Sequence, residues 1–174
     1  MKKIIPFILI NLLSCCLHAQ KRTDAQTLNN RGFRQAQKEN YSQAIELFTQ
    51  AIALNEFYTD AYYNRALACS KLKDYEKAIN DYTKAINLRP HFKIAWNNRG
   101  ADRNELKDYN GAIEDYTKAI GIDSNYARAY YNRGISYLNL GDYKKAILDF
   151  NKAISLDPDN KEACQNREIA QQKD

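Results

Sequence analysis

Glu39-Asn40-Tyr41, Lys73-Asp74-Tyr75, Lys107-Asp108-Tyr109 and Gly141-Asp142-Tyr143 recur at intervals of 34 residues. Ala44, Ala78, Ala112 and Ala146 keep the same spacing, and so do Ala51, Ala85, Ala119 and Ala153, each followed by Ile. A small residue (Gly32, Ala66, Gly100, Gly134) and a ring (Phe48, Tyr82, Tyr116, Phe150) repeat in the same register. A period of this length constrains the fold more than any other feature. Each unit is one supersecondary element that cannot bury its apolar face alone, so the units must stack on one another. Four units fill 25–58, 59–92, 93–126 and 127–160 of the 174 residues. Place 1 is the first residue of a unit and place 34 the last.

Inside each unit the apolar residues follow a helical period. In the last unit Tyr130, Gly134, Tyr137 and Leu138 form one stripe, Gly141-Asp142 interrupts it, and Ala146, Ile147, Phe150, Ala153 and Ile154 form a second. Asn40, Asp74, Asp108 and Asp142 suit the N-cap of the second helix. Pro158 follows that helix and blocks its continuation. Each unit is therefore predicted to be a helix, a short turn and a second helix. Gly or Ala at places 8, 20 and 27 lets the two helices approach closely, and the ring at place 24 fills the space beside them.

The start of the chain reads as an address. Lys2 and Lys3 precede an apolar run from Ile4 to Leu13, broken only by Pro6 and Asn11, and Ala19 then precedes a polar sequence. This is the tripartite pattern of a signal peptide over 1–19, with cleavage before Gln20. The run is short of the roughly 20 residues a spanning helix needs. The rival reading is a lipoprotein, because Leu12-Leu13-Ser14-Cys15 resembles a lipobox with Cys15 as the acylated residue; Asn11 fits that pattern poorly, and an uncleaved anchor is the third reading. The expected localisation is export, periplasmic or secreted, with a membrane-anchored lipoprotein as the alternative. Export implies an oxidising compartment, yet Cys69 and Cys164 lie three units apart, too far for a disulfide. Both read as small buried hydrophobes.

Composition narrows the function classes. Two His in total, His18 and His91, leave little room for histidine-based catalysis or a multi-histidine metal site. No glycine-rich phosphate loop and no nucleophile with a neighbouring base is present, so neither enzyme activity nor a cofactor or metal is expected. The net charge is +5, of which Lys2 and Lys3 supply two, and acidic residues interleave with basic ones. Nucleic acid is not an expected partner, and a membrane is one only if Cys15 carries lipid.

The repeat resembles the tetratricopeptide repeat, a helical hairpin of the same length. That family's motif expects a large residue at place 4, here Leu28, Tyr62, Trp96 and Tyr130. It expects Gly or Ala at 8, Ala at 20, an aromatic at 24, Ala at 27 and Pro at 32, and most are present. Glu56 and Ser124 replace the proline in the first and third units. Place 11 is Tyr only at Tyr137, with Gln35, Cys69 and Arg103 elsewhere, and place 7, commonly Leu, is Arg31, Arg65, Arg99 and Arg133. The resemblance implies an all-α, right-handed α-solenoid of hairpins. Residues 161–174 form a polar C-terminal capping helix.

The resemblance also implies a binding module whose first helices line a concave groove for a protein or extended peptide. The lining places would be 2, 5, 6, 9, 12 and 13. Place 6 is Asn30, Asn64, Asn98 and Asn132, and Asn166 continues the row. A carboxamide offers donors and an acceptor in one plane, so it can bond a peptide backbone without reading side chains. These five resemble the asparagine ladders of long peptide-binding repeat proteins; the alternative is that each bonds within its own helix turn or to water. Tyr63 and Tyr131 at place 5 offer flat contact area or pack on neighbouring units, and Arg128 at place 2 can meet an acidic group. The clamp that holds acidic chaperone tails wants Lys or Arg at several groove places, and only the place-6 asparagine fits it. Asp81, Asp115 and Asp149 at place 23 are placed to pair with the place-7 arginines; arginines reaching a ligand phosphate are the alternative. Two other roles stay open: a structural protein whose units stack into an oligomer, and an accessory or degenerate enzyme.

Overall fold

The computed structural model describes the backbone of residues 4–174 and the side chains from residue 19 onward. The signal-peptide and lipobox residues up to His18, Cys15 among them, fall outside the described side chains. Among the described residues the chain forms helices and turns only: α1 (Ile4–Gln37), α2 (Tyr41–Leu54), α3 (Thr59–Lys71), α4 (Tyr75–Leu88), α5 (Lys93–Glu105), α6 (Tyr109–Ile122), α7 (Ala127–Leu140), α8 (Tyr143–Leu156) and α9 (Lys161–Lys173). Each helix packs on the next in sequence, so the chain is an all-α solenoid of antiparallel hairpins with α9 as its last layer. No helix among the described residues is long and apolar enough to cross a membrane.

The turn within each hairpin is set at place 15, which adopts the left-handed conformation: Glu39 φ 62°, Lys73 φ 62°, Lys107 φ 63° and Gly141 φ 77°. Only the fourth unit uses glycine there, so three units accept a conformation that costs an L-residue roughly 1–2 kcal/mol. The next amide compensates by bonding back across the turn, Asp74 to the Cys69 carbonyl at 3.0 Å and Asp142 to that of Tyr137 at 2.9 Å. Of the four expected N-caps, Asp108 and Asp142 accept the amides of Gly111 and Lys145. Asn40 and Asp74 do not cap; the Asn40 carboxamide donates to Gln35, and Asp74 pairs with Lys77.

The second helices all end at the same place, with or without proline. In the first and third units, which lack it, place 31 builds an Asx turn instead: Asn55 accepts the Phe57 amide at 3.2 Å and Asp123 that of Asn125 at 3.0 Å. The departure from the motif at Glu56 and Ser124 is thus offset one residue earlier.

The core lies between the two helices of each hairpin. A Cβ on Gly32, Gly100 or Gly134 would stand 2.6, 2.8 or 2.7 Å from the ring of Phe48, Tyr116 or Phe150. The rings are wholly buried against that backbone, and alanines at places 20 and 27 are buried on either side. Cys69 joins the core of the second unit, where burial pushes its thiol up to about 11, and Cys164 is half-buried on α9.

Candidate functional site: the inner face of the first helices

First helices touch one another directly, α1 on α3, α5 on α7 and α7 on α9, and no contact of that extent joins second helices among the described residues. The first helices therefore form the inner, concave side of the stack. Three sets of polar bonds cross its junctions, each generated by the repeat.

The first set joins place 6 of one unit to place 5 of the unit before. The carboxamide nitrogens of Asn64 and Asn132 donate to the side-chain oxygens of Asn29 and Asn97, each at 3.0 Å. Those of Asn98 and Asn166 donate to the hydroxyls of Tyr63 and Tyr131, each at 3.2 Å. Place 5 alternates Asn, Tyr, Asn, Tyr, and both side chains present an oxygen at the same spot. From Asn64 to Asn166 the amide row is thus directional, each member donating toward the N-terminus. Bonding within the turn is added at one member only, where Asn98 Oδ1 accepts from the neighbouring Asn97 carboxamide at 3.3 Å. Asn29 and Asn97, the acceptors, are buried and were not singled out from the sequence. Asn30, first in the row, is exposed and makes no such bond among the described residues.

Tyr63 and Tyr131 turn out to be packed. The Tyr63 ring lies 4.8 Å from Phe92 and 5.9 Å from Tyr82, and Tyr131 lies 6.1 Å from Phe150. Burial raises the hydroxyl pKa of both, so they stay neutral hydrogen-bonding groups. Arg128 is exposed, with no carboxylate in ion-pair range among the described residues.

The second set is an arginine clasp. Arg65, Arg99 and Arg133 each make a two-bond fork to Asp81, Asp115 and Asp149 at 2.6–2.9 Å. The remaining nitrogen of each reaches back 2.9 Å to Thr49, Thr83 or Thr117 on the second helix of the preceding unit. One guanidinium therefore ties three helices together, in the planar geometry that suits it to carboxylates. The place-4 ring lies against it, Trp96 at 4.7 Å from Arg99. These arginines are consumed in structure rather than offered to a ligand phosphate. Arg31 stays exposed because place 23 of its unit is Leu47.

The third set varies along the chain. Place 12 of one unit meets place 10 of the next: Ser70 donates to Asp102 at 2.7 Å, and Ser136 donates to Asn104 at 2.9 Å. At the first junction the two places are Ala36 and Ala68, and at the last Leu138 and Ala170. Asp102 is 3 % exposed, and its second oxygen, Oδ2, has no partner. Burial pushes its carboxyl up to about 6, with Glu105 adding to the effect and Ser70 opposing it. Outside these bonds the inner face carries an apolar row at place 9, Phe33, Leu67, Ala101, Ile135 and Ile169, whose ends are the most open, Phe33 at 50 % and Ile169 at 42 %. Among the described residues no cluster of metal-ligating side chains occurs.

This stack of hairpins is shared with a known class. The tetratricopeptide repeat model matches residues 59–92 and 127–160, and a second model of the same repeat matches 103–141, together more than half of the chain. Of solved structures, the Arabidopsis OM64 TPR domain is 34 % identical with a TM-score of 0.64, over 66 % of this chain and 94 % of that one. The first TPR domain of Spaghetti (RPAP3), bound to an HSP90 peptide, is 25 % identical with a TM-score of 0.65, over 66 % and 90 %. MamA from Desulfovibrio magneticus shares the fold at 22 % identity with a TM-score of 0.77, over 86 % and 90 %. No curated protein sequence matches. The chain belongs to the tetratricopeptide repeat family, whose fold is a scaffold for protein–protein interaction.

Proposed function

We propose that this chain is an exported scaffold that holds an extended protein segment along the inner face of its first helices. The observation that carries the reading is the directional row of place-6 asparagines. Asn64, Asn98, Asn132 and Asn166 are each fixed in orientation by one N–H bonded to the unit before. The side-chain oxygens of Asn64 and Asn132 take no protein donor among the described residues. A carboxamide held this way is preorganised, so it can accept a peptide N–H without losing further rotamer freedom. Recognition through such groups depends on the partner's backbone more than its sequence. The peptide in the Spaghetti domain supports a segment of protein as the class of ligand.

The test is a binding titration and a thermal melt on Asn64→Ala, Asn98→Ala and Asn132→Ala, singly and combined, with a partner found by affinity capture. Each substitution should lower affinity by about 0.5–1.5 kcal/mol and stability by a similar amount, because each asparagine also bonds the preceding unit. The triple variant, compared per folded molecule, should bind weaker than any single one. Unchanged affinity per folded molecule would make the row purely structural.

Export rests on the tripartite pattern of residues 1–19. The mass of the protein recovered from outside the cytoplasm should correspond to a chain beginning at Gln20. A mass that includes acyl chains on Cys15 would replace this with the lipoprotein reading.

A further inference from the structure

The junction between the second and third units differs from the others in two ways. Its first helices, α3 and α5, come into contact less than the first-helix pairs elsewhere, so α5 is held to the second unit chiefly through α4. Two polar bonds cross its inner side: Asn98 donates to the Tyr63 hydroxyl at 3.2 Å, and Ser70 donates to Asp102 at 2.7 Å. The second difference is the charge in that pair. Asp102 Oδ2 is buried with no hydrogen-bond partner among the described residues. Arg103, next along α5, does not offset it and turns to Asp108 and Asp115 instead. The titratable groups that face Asp102 are Glu105 on its own helix, Tyr75 and Tyr82 on α4, and Tyr116 on α6. Burial first, and neighbouring carboxylates second, raise all three tyrosine hydroxyls, so they stay neutral. The junction between the third and fourth units is the uncharged counterpart, where Ser136 donates to Asn104 at 2.9 Å.

We infer that the junction between the second and third units is a hinge in the inner face, and that the protonation of Asp102 sets how far it opens. While Asp102 is protonated the buried pair is neutral, and α3 and α5 stay closed. Once it is ionised, Oδ2 carries charge in a dry place with no donor, which costs free energy until water reaches it. Swinging α3 away from α5 about α4 admits that water and breaks the Ser70 bond. The neighbouring link from Asn98 to Tyr63 loosens with it, so the spacing of Asn64 and Asn98 along the amide row changes. The inference rests on the groove reading for its consequence: a segment lying across both units meets a rigid groove in acid and a looser one at neutral pH. The direction follows from the carboxyl group. In the closed junction burial first, and then Glu105, hold it up at about 6 against an ordinary 3.8, with Ser70 opposing them. A hydrated Asp102 in the open junction ionises first, so opening grows as pH rises from about 4 to about 6 and levels off above.

The experiment is amide hydrogen exchange on the full chain at pH 5 and pH 7, corrected for the direct effect of pH on exchange; it needs no partner. Amides around Ser70 and Asp102, in the last turns of α3 and α5, should open about tenfold more at pH 7 than at pH 5. Amides around Ser136, at the uncharged junction, should not. Asp102→Asn keeps an acceptor for Ser70 and removes the charge, so it should show the low opening at both pH values. Ser70→Ala should extend the rise to higher pH, because it removes the one donor that favours the ionised form. His91→Gln, an exposed change in the connection between α4 and α5, should leave the rise intact. Equal opening of the native chain at the two pH values would overturn the inference. So would a rise that survives Asp102→Asn or disappears with His91→Gln. A rise of the same size at every protected amide would also overturn it, since Asp102 would then act on the whole fold and not on one junction. None of these outcomes bears on the groove reading, which the asparagine variants and a captured partner judge. Asparagine variants that bind normally would sink that reading and leave the exchange result standing.

Discussion

Asp115→Ala is expected to destabilise the protein by about 3–5 kcal/mol, the cost of leaving a buried partner charge uncompensated. Arg99 donates to both oxygens of Asp115, at 2.9 and 2.7 Å, and Arg103 approaches the same carboxylate at 3.1 Å. The side chains of Arg99 and Asp115 are 9 % and 1 % exposed, the most buried pair in the molecule's described residues. Without Asp115, Arg99 keeps only Thr83 as acceptor. Arg99→Ala should cost less, about 1–3 kcal/mol, because Arg103 still neutralises Asp115. A thermal melt separates the two, since each kcal/mol moves the midpoint by roughly 2–4 °C in a chain of this size. Replacing both together, Arg99→Met with Asp115→Leu, should recover most of the loss, because a well-packed apolar pair often matches a buried ion pair. The first unit already carries an apolar residue at this place, Leu47, with its arginine left in solvent. Equal melts for the two single variants would show that Arg103 does not share the load.

Asp102→Asn should stabilise the protein above pH 6 and leave it nearly unchanged near pH 4. The carboxyl of Asp102 is raised from its ordinary 3.8 to about 6, first by burial and then by Glu105, so the folded state favours its protonated form. Below both values the group is protonated whether folded or not, and it contributes no pH dependence. As pH rises from about 4 to 6 the unfolded chain ionises first, and stability falls. Above about 6 the full penalty remains, at most about 3 kcal/mol for this displacement. The asparagine variant lacks that fall. The native chain also gains stability from Asp74, Asp123 and Asp142, whose carboxyls Lys77, Lys93 and Lys145 hold low, and which lose that contribution as pH falls. The quantity to measure is therefore the difference in melting midpoint between variant and native protein at each pH. A constant difference from pH 4 to 8 would contradict the account.

The parts of this fold legible in the sequence are those that every unit repeats. Small residues at place 8 opposite rings at place 24 announce close helix contacts, and the structure puts the Gly100 backbone against Tyr116 in that way. Arginine at place 7 with aspartate at place 23 was likewise readable as a pair across a hairpin. Bonds between units were harder to read, because they join different places. The amide row runs from place 6 to place 5 of the unit before, a separation of 35 residues, and Asn and Tyr serve interchangeably as its acceptor. A search for identical residues at one period passes over that link. Thr49, Thr83 and Thr117 escaped for the same reason, although they repeat faithfully. Asp102 was visible as a charged residue at a place held by Ala68, Ser136 and Ala170 in the other units that follow a unit, and by Arg34 in the first.

The claim at the centre of this account is that the inner face of the first helices binds a protein segment. Its most direct test is the set of backbone amide shifts caused by a segment of a captured partner, measured on the native chain. Shifts concentrated on α3, α5 and α7, around Asn64, Asn98 and Asn132, are the predicted result. Shifts concentrated on the second helices α4, α6 and α8, with the three asparagines unmoved, would contradict it.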